Sequence, residues 1–249
     1  MSIKQEELEN QQEELENDLD ETTETSYIND KKERINNFVQ QNGKNIIIFS
    51  IVIIILVGLV LLFRANSKKN EENAAKALAR IESYYLKGEY ESALYGNDTL
   101  PTVRGEKIIG LIDIINEYRS TSAGQRAALY AGDAYFTLGK YPEAKGFFEK
   151  AIKSDVDIVK SGGLAGSAAC NEKDGKIKEA AEEYKKAADL IVEDFLKLRY
   201  LYFSALCNEK VGNNEEAKKM YRDIINLNKY GEFNNLAKAG IVRLGEDIE

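Results

Sequence analysis

One stretch of the sequence decides its fold: residues 130–152 read YAGDAYFTLGKYPEAKGFFEKAI. Gly139 lies near its centre, and apolar residues at helical spacing flank it on both sides, which predicts two helices joined by a tight turn. Glycine suits such a turn because it adopts positive φ without a steric penalty. We therefore expect a helical hairpin here.

The same pattern recurs downstream, because Gly175 and Gly212 follow Gly139 at periods of 36 and 37 residues. Each glycine is followed by a small residue five positions later, an aromatic residue nine later and an apolar residue twelve later: Ala144, Ala180 and Ala217; Phe148, Tyr184 and Tyr221; Ala151, Ala187 and Ile224. We expect the alanines where two helices cross and the aromatic rings between neighbouring hairpins. A degenerate earlier unit has Gly88, Tyr90 and Ala93.

These units resemble the tetratricopeptide repeat, and the best copy, residues 125–158, also has glycine at 132 and tyrosine at 135 as that consensus expects. No copy has the closing proline, and Ala128 occupies the tryptophan position. The resemblance implies an all-α fold, an α-solenoid of tetratricopeptide-like helical hairpins over residues 74–249. The alternative is chance similarity among alanine-rich helices.

The segment between the degenerate unit and the first full one is longer than one repeat. We expect a loop from Tyr95 to Arg104 and an extra helix from about Glu106 to Tyr118. At the other end, a short helix over Leu236 to Leu244 would cap the stack, since the ends of such arrays must be covered.

An apolar run of 18 residues, Ile46 to Phe63, is interrupted only by Ser50 and Gly58. At about 1.5 Å per residue it reaches roughly 27 Å, which is enough for a bilayer core. It predicts a single transmembrane helix over residues 45–64 that contacts membrane lipid through residues 46–63. A buried helix of a soluble protein would keep a polar face, and a cleaved signal peptide would not follow so long a polar segment.

The segment before this run is strongly acidic: residues 1–30 carry a net charge of −10, whereas the other 219 residues sum to +2. We interpret residues 1–44 as an acidic disordered tail with a juxtamembrane segment, and residues 65–73 as a linker. The repeated EELEN at 6–10 and 13–17 leaves open a short helix that forms with a partner. Four Lys and Arg residues precede the run and five follow it within twenty residues, so charge does not decide the topology.

The composition excludes most enzyme chemistry, because the chain has no histidine and only two cysteines. We predict no catalytic or metal-ligating residues, no cofactor and no small-molecule substrate, and no basic face points to nucleic acid. Cys170 and Cys207 lie 37 residues apart, in equivalent places that stacked units would separate by about 10 Å, beyond the roughly 7 Å limit for a disulfide. They are small core residues or, alternatively, a redox pair. An enzyme that uses carboxylates in a groove between the helices is an alternative to the prediction of no catalytic residues.

The concave face of a tetratricopeptide array is lined by the first helix of each hairpin. Carried over to this sequence, the resemblance implies twelve candidate partner-binding residues: Tyr85, Arg126, Leu129, Asp133, Phe136, Glu172, Lys173, Arg199, Tyr202, Leu206, Glu209 and Lys210. For each of them, packing between repeats is the alternative role. The basic clamp that holds carboxylate tails in chaperone-binding arrays is absent, because Leu129, Asp133, Ala165 and Ala169 occupy its positions.

Residues 110–152, GLIDIINEYRSTSAGQRAALYAGDAYFTLGKYPEAKGFFEKAI, resemble the ancillary Sec translocon subunit family and its cell-division coordinator-like relatives, over about residues 105–230. The resemblance implies a protein-binding scaffold in the bacterial inner membrane, with a cytoplasmic N-terminus and a periplasmic repeat domain. It implies partners among the Sec translocon, exported chains and periplasmic chaperones. The alternative is an envelope-assembly or cell-division organising factor that handles no clients.

Overall fold

The computed structural model describes residues 3–96, 102, 105, 107–192, 194–227 and 230–247, without the side chains of residues 3–29, 46 and 194. Over these residues the chain is helical and has no strand, which confirms the all-α class. The helices are α1 (Ile3–Leu86), α2 (Tyr90–Tyr95), α3 (Leu111–Glu117), α4 (Ser122–Thr137), α5 (Tyr141–Ile152), α6 (Asp157–Lys173), α7 (Ile177–Asp189), α8 (Asp194–Lys210), α9 (Asn214–Leu227) and α10 (Glu232–Arg243). The chain divides into two compact units, Met1–Ala65 and Asn66–Glu249.

The first unit contains the apolar run as part of α1. Every large apolar side chain from Ile47 to Phe63 is exposed. This exposure contradicts the alternative of a buried core helix, and by length and composition the helix can cross a membrane.

Two segments differ from the sequence-based expectation. The backbone is helical from Ile3, where we expected a disordered tail, and it stays helical through residues 65–73, where we expected a linker. The N-terminal segment is rich in Glu, Gln and Leu, which favour helix, and the first proline of the chain is Pro101. In the former linker, the Glu71 carboxylate accepts hydrogen bonds from the backbone N–H groups of Ser122 (2.9 Å) and Ala123 (3.2 Å), so this turn of helix belongs to the second unit.

In the second unit, α4 with α5, α6 with α7, and α8 with α9 form three successive hairpins, and each helix packs against the next one along the chain. Gly139, Gly175 and Gly212 lie in the turns with φ of 74°, 76° and 79°, as predicted from their spacing. An L-residue would be strained in this left-handed region, so glycine defines where each hairpin turns.

The repeated small and apolar positions form the core, as the sequence predicts. All three alanines at the helix crossings are fully buried, and so are the residues twelve positions after each turn glycine. Phe148 lies between α4 and α6: a Cβ built on Gly132 or Gly166 would come within 2.6 or 2.3 Å of its ring. The aromatic position therefore fills the space between neighbouring hairpins.

The extra helix is shorter than predicted, because α3 begins at Leu111 rather than near Glu106. Gly110 is extended (φ −75°, ψ 167°) and lies so close to α2 that a Cβ there would be 2.5 Å from the Leu94 carbonyl oxygen. This backbone contact prevents an earlier start of the helix. The predicted loop lies mostly outside the described residues, whereas the predicted terminal helix is present as α10 and packs on α9 and α8.

Candidate functional site

The second unit has a groove of about 310 Å³ on the side formed by the end of α1 and by the first helices of the hairpins, α4, α6 and α8. Small residues of α6 form its floor, and aromatic residues form its two walls. The floor is Gly162, Ala165, Gly166 and Ala169; the walls carry Tyr85, Tyr130 and Phe136 on one side and Tyr184, Tyr200 and Phe203 on the other.

The floor is low because of the local sequence of α6, GGLAGSAA at 162–169. Residues three and four apart share a helix face, so the small side chains at 162, 165, 166 and 169 point in one direction. A Cβ at Gly162 would come within 2.9 Å of a methyl group of Leu129, a groove residue on α4. Larger residues on this face would fill the groove or push α4 and α6 apart.

One wall is held by two tyrosine–carboxylate hydrogen bonds. The Tyr85 hydroxyl donates to the Asp133 carboxylate at 2.7 Å, and the Tyr130 hydroxyl donates to Glu82 at 2.8 Å. The two rings stack with centroids 4.6 Å apart. Burial and the Glu82 hydrogen bond raise the pKa of Tyr130 to about 12, and burial and Asp133 raise the pKa of Tyr85 further, so both hydroxyls remain protonated donors.

A tyrosine–carboxylate hydrogen bond also occurs within each of the next two hairpins, at positions that are equivalent to each other. The Tyr184 hydroxyl donates to Glu172 at 3.0 Å, and the Tyr221 hydroxyl donates to Glu209 at 2.8 Å. Each glutamate also pairs with a cation from the following hairpin or helix. Lys210 Nζ donates to Glu172 at 2.7 Å, and an Arg243 guanidinium nitrogen donates to Glu209 at 2.8 Å.

These pairs correspond to a repeated tetrapeptide that our sequence analysis missed: CNEK occurs at 170–173 and again at 207–210. Its recurrence at the repeat period could have predicted equal roles for the two glutamates. The two cysteines of the motif are free and buried, and burial raises the pKa of the Cys170 thiol to about 11 and that of Cys207 to about 12. Their burial and protonation agree with the interpretation as small core residues.

Five of the twelve predicted partner-binding residues line the groove: Tyr85, Leu129, Asp133, Phe136 and Arg199. The other seven do not line it. Glu172, Glu209 and Lys210 form the inter-hairpin ion pairs, Tyr202 packs about 6 Å from the rings of Phe203, Tyr221 and Phe233, Lys173 lies over the Tyr141 ring, Leu206 is half-buried and Arg126 is exposed.

Sequence reasoning missed Tyr130, Tyr184, Tyr200, Phe203 and the whole floor of the groove. Two of the floor positions, Ala165 and Ala169, were noted only because they lack the basic residues of a carboxylate clamp. The run of small residues in α6 was the available signal, since a first helix with one face of glycine and alanine leaves space where its neighbours carry aromatic rings.

The groove contains one acidic and one basic side chain, and they differ in whether another residue of the chain bonds to them. Asp133 is engaged by the Tyr85 hydroxyl. Arg199 is exposed, its guanidinium lies 5.6 Å from the centroid of the Tyr200 ring, and it forms no ion pair with any residue in the described part of the chain. Arg199 is therefore the charged group at the groove that is available to a ligand.

Within the described residues, no group of three acidic, cysteine or histidine side chains is arranged to hold a metal ion. No protein-family model matches the chain, and the search of curated proteins gives no match.

Proposed function

We propose that this chain is a membrane-anchored scaffold whose hairpin domain, a tetratricopeptide-like α-solenoid, binds a segment of another protein in the groove over α6. The observation that carries the proposal is the combination of a floor of small residues, two aromatic walls and one available guanidinium. Aromatic residues and arginine are enriched at protein-binding surfaces and among the few residues that contribute most of the binding energy.

The groove favours a peptide that inserts an apolar side chain and carries a carboxylate beside it. An apolar side chain would contact Ala169 and Phe136, and its burial would contribute about 1.5–3 kcal/mol. A neighbouring carboxylate would pair with Arg199, whose fork of donors matches carboxylate geometry. The volume lies near the lower end of the range for ligand pockets, about 300–1,000 Å³, so the groove suits a single side chain and its neighbours.

The exposed apolar helix of the first unit supports the membrane anchor. Following the resemblance of residues 110–152, we propose a single pass through the bacterial inner membrane with a cytoplasmic N-terminus and periplasmic hairpins. The scaffold would then stand beside the Sec translocon and contact exported chains and periplasmic chaperones, without catalysis.

The groove is tested by filling it. Ala169→Leu places a larger side chain over the floor at a half-buried position, so we expect the partner to be lost from a variant that circular dichroism shows to be folded. Ala239→Leu, at an exposed position of α10, is the matched control. Tagged full-length protein would be crosslinked in cells and purified in detergent. Partners retained equally by both variants would contradict the proposal.

The location of the hairpins is tested by protease digestion of intact spheroplasts, with a cytoplasmic protein as control. Digestion of the C-terminal domain supports the periplasmic assignment, and protection until lysis contradicts it. The identity of the crosslinked proteins then separates the two roles. Translocon components and chaperones support the proposed role, whereas cell-wall or outer-membrane machinery would indicate an envelope-organising factor.

A further inference from the structure

A second pocket, of about 390 Å³, lies on another face of the second unit, between α3, α4 and α5. Three cationic side chains line it, Arg119, Lys150 and Lys153, and no acidic side chain of the described residues does so. Ile115 and Ala128, both buried, contribute apolar surface. The pocket is separate from the groove over α6 and shares no lining residue with it.

The single sign of charge distinguishes this pocket from the comparable one farther along the chain. A pocket of about 420 Å³ between α7, α8 and α9 is lined by three lysines (Lys185, Lys197 and Lys219) and three acids (Asp189, Glu216 and Asp223). There the charges balance, and Lys185 pairs directly with Glu216 at 3.3 Å. In the pocket beside α3, none of the three cations forms an ion pair with any described residue.

Two of the lining residues make contacts with neighbouring side chains. Lys150 Nζ lies 4.3 Å from the centroid of the Phe147 ring, and that ring stacks on Tyr135. The Gln125 side-chain oxygen accepts a 2.6 Å hydrogen bond from the Ser154 hydroxyl, which leaves its amide N–H groups as donors. The backbone amides at the start of α4 are already engaged, because Ser122 and Ala123 donate to Glu71 and Gly124 donates to Thr121. The site therefore depends on side chains.

We propose that this pocket binds a phosphate-bearing anion. Three cations match a group with more than one negative charge, and the guanidinium of Arg119 provides paired donors for phosphate oxygens. The amide of Gln125 provides a neutral donor, and Ile115 and Ala128 receive an apolar part of the ligand. A soluble phosphate ester and a lipid phosphate headgroup share this chemistry.

The test uses the full chain in a non-ionic detergent at constant ionic strength, with inorganic phosphate and pyrophosphate as probes and ³¹P line broadening as the readout. We expect pyrophosphate to bind more tightly than phosphate because it carries more charge. Arg119→Gln, Lys150→Gln and Lys153→Gln should each weaken binding roughly threefold, the effect of an exposed charge pair, and the triple variant should weaken it roughly thirtyfold.

The matched control is Lys185→Gln, Lys197→Gln and Lys219→Gln, which removes the same charge from the balanced pocket. It should leave phosphate binding unchanged, and circular dichroism would check that both triple variants keep their helices. Equal weakening by both variants would mean a general charge effect and would overturn the proposal, as would the absence of binding to the wild-type chain. Dihexanoyl phosphatidate then identifies the source: tighter binding than pyrophosphate indicates a lipid, and weaker binding a soluble ester.

Discussion

The first hairpin and the two that follow it differ at one repeated position of their first helices, α4, α6 and α8. Three residues before the turn glycine, the first hairpin has a phenylalanine and the others have glutamates: Phe136, Glu172 and Glu209. Nine residues after that glycine the sequence changes in parallel: Phe148, Tyr184 and Tyr221. Where the inner residue is a glutamate, the later aromatic residue carries the hydroxyl that bonds it.

This difference concerns one wall of the groove. The two glutamate hairpins are closed against their successors by ion pairs to Lys210 and Arg243. The first hairpin has the ring of Phe136 at the equivalent position, and this ring lines the groove. The first hairpin reaches α6 elsewhere, through the 2.7 Å hydrogen bond from Lys145 Nζ to the side-chain oxygen of Asn171. The same position of the repeat thus forms an ion pair to a following helix in two copies and lines the groove in the other.

The largest effect on stability is expected in the first hairpin, which has phenylalanine at both of these positions. Phe148→Ala removes a buried ring that fills the space between α4 and α6, and glycines on both sides cannot fill the cavity. We expect the free energy of unfolding to fall by about 3–5 kcal/mol. Urea titration followed by circular dichroism measures it. Phe195→Ala, at a ring that is 56% exposed, is the control, and a similar loss there would contradict the explanation.

A smaller effect on stability is expected when the first hairpin receives the glutamate and the tyrosine of the later hairpins. Phe148→Tyr adds a hydroxyl without its acceptor, which should cost about 1–3 kcal/mol. Adding Phe136→Glu supplies the carboxylate at the position that Glu172 occupies in the next hairpin, so the double variant should recover part of that cost. The same urea titration gives the coupling in a double-mutant cycle, and purely additive costs would contradict the pairing rule.

Much of the hairpin architecture could be predicted from the sequence because it depends on residues at fixed spacing. Glycine at the turns and alanine at the crossings are each decided by local geometry, and the structure has both where the spacing places them. The end of α2 and the start of α3 could not be predicted, because the backbone of Gly110 meets that of Leu94 through a tertiary contact.

The site was harder to predict because each inner residue has two possible roles. Glu172 and Arg199 looked alike as charged residues of first helices, yet Glu172 is bonded by a tyrosine and a lysine whereas Arg199 is available. Whether such a residue packs within the domain or is available to a ligand depends on whether another residue of the chain bonds to it. That partner lies twelve or more residues away, and a residue-by-residue reading does not include it.

The pH dependence of stability tests the contacts of Glu209 in the third hairpin. The hydrogen bond from Arg243, followed by that from Tyr221, lowers the pKa of Glu209. A carboxyl with a lowered pKa stabilises the folded state above its unfolded pKa, about 4.3, and this contribution is lost as the pH falls through the folded value. The difference in Tm between wild type and Glu209→Gln should therefore shrink as the medium is acidified from neutral pH. A difference independent of pH would show that the charge of Glu209 is not what stabilises the contact.

The smallest effect is expected at the cation that closes the second hairpin against the third. The Lys210 side chain is 55% exposed, so solvent screens its pair with Glu172, and Lys210→Met should cost only about 0.2–1 kcal/mol. Tyr184 still donates to the same carboxylate and holds it in place. Tyr184→Phe removes the more buried donor and should cost more, about 0.5–1.5 kcal/mol. If urea titration gave the opposite order, the ion pair rather than the tyrosine would be the main contact of the glutamate in the second hairpin. The first hairpin would then differ from the later two chiefly because it lacks a charge at this position.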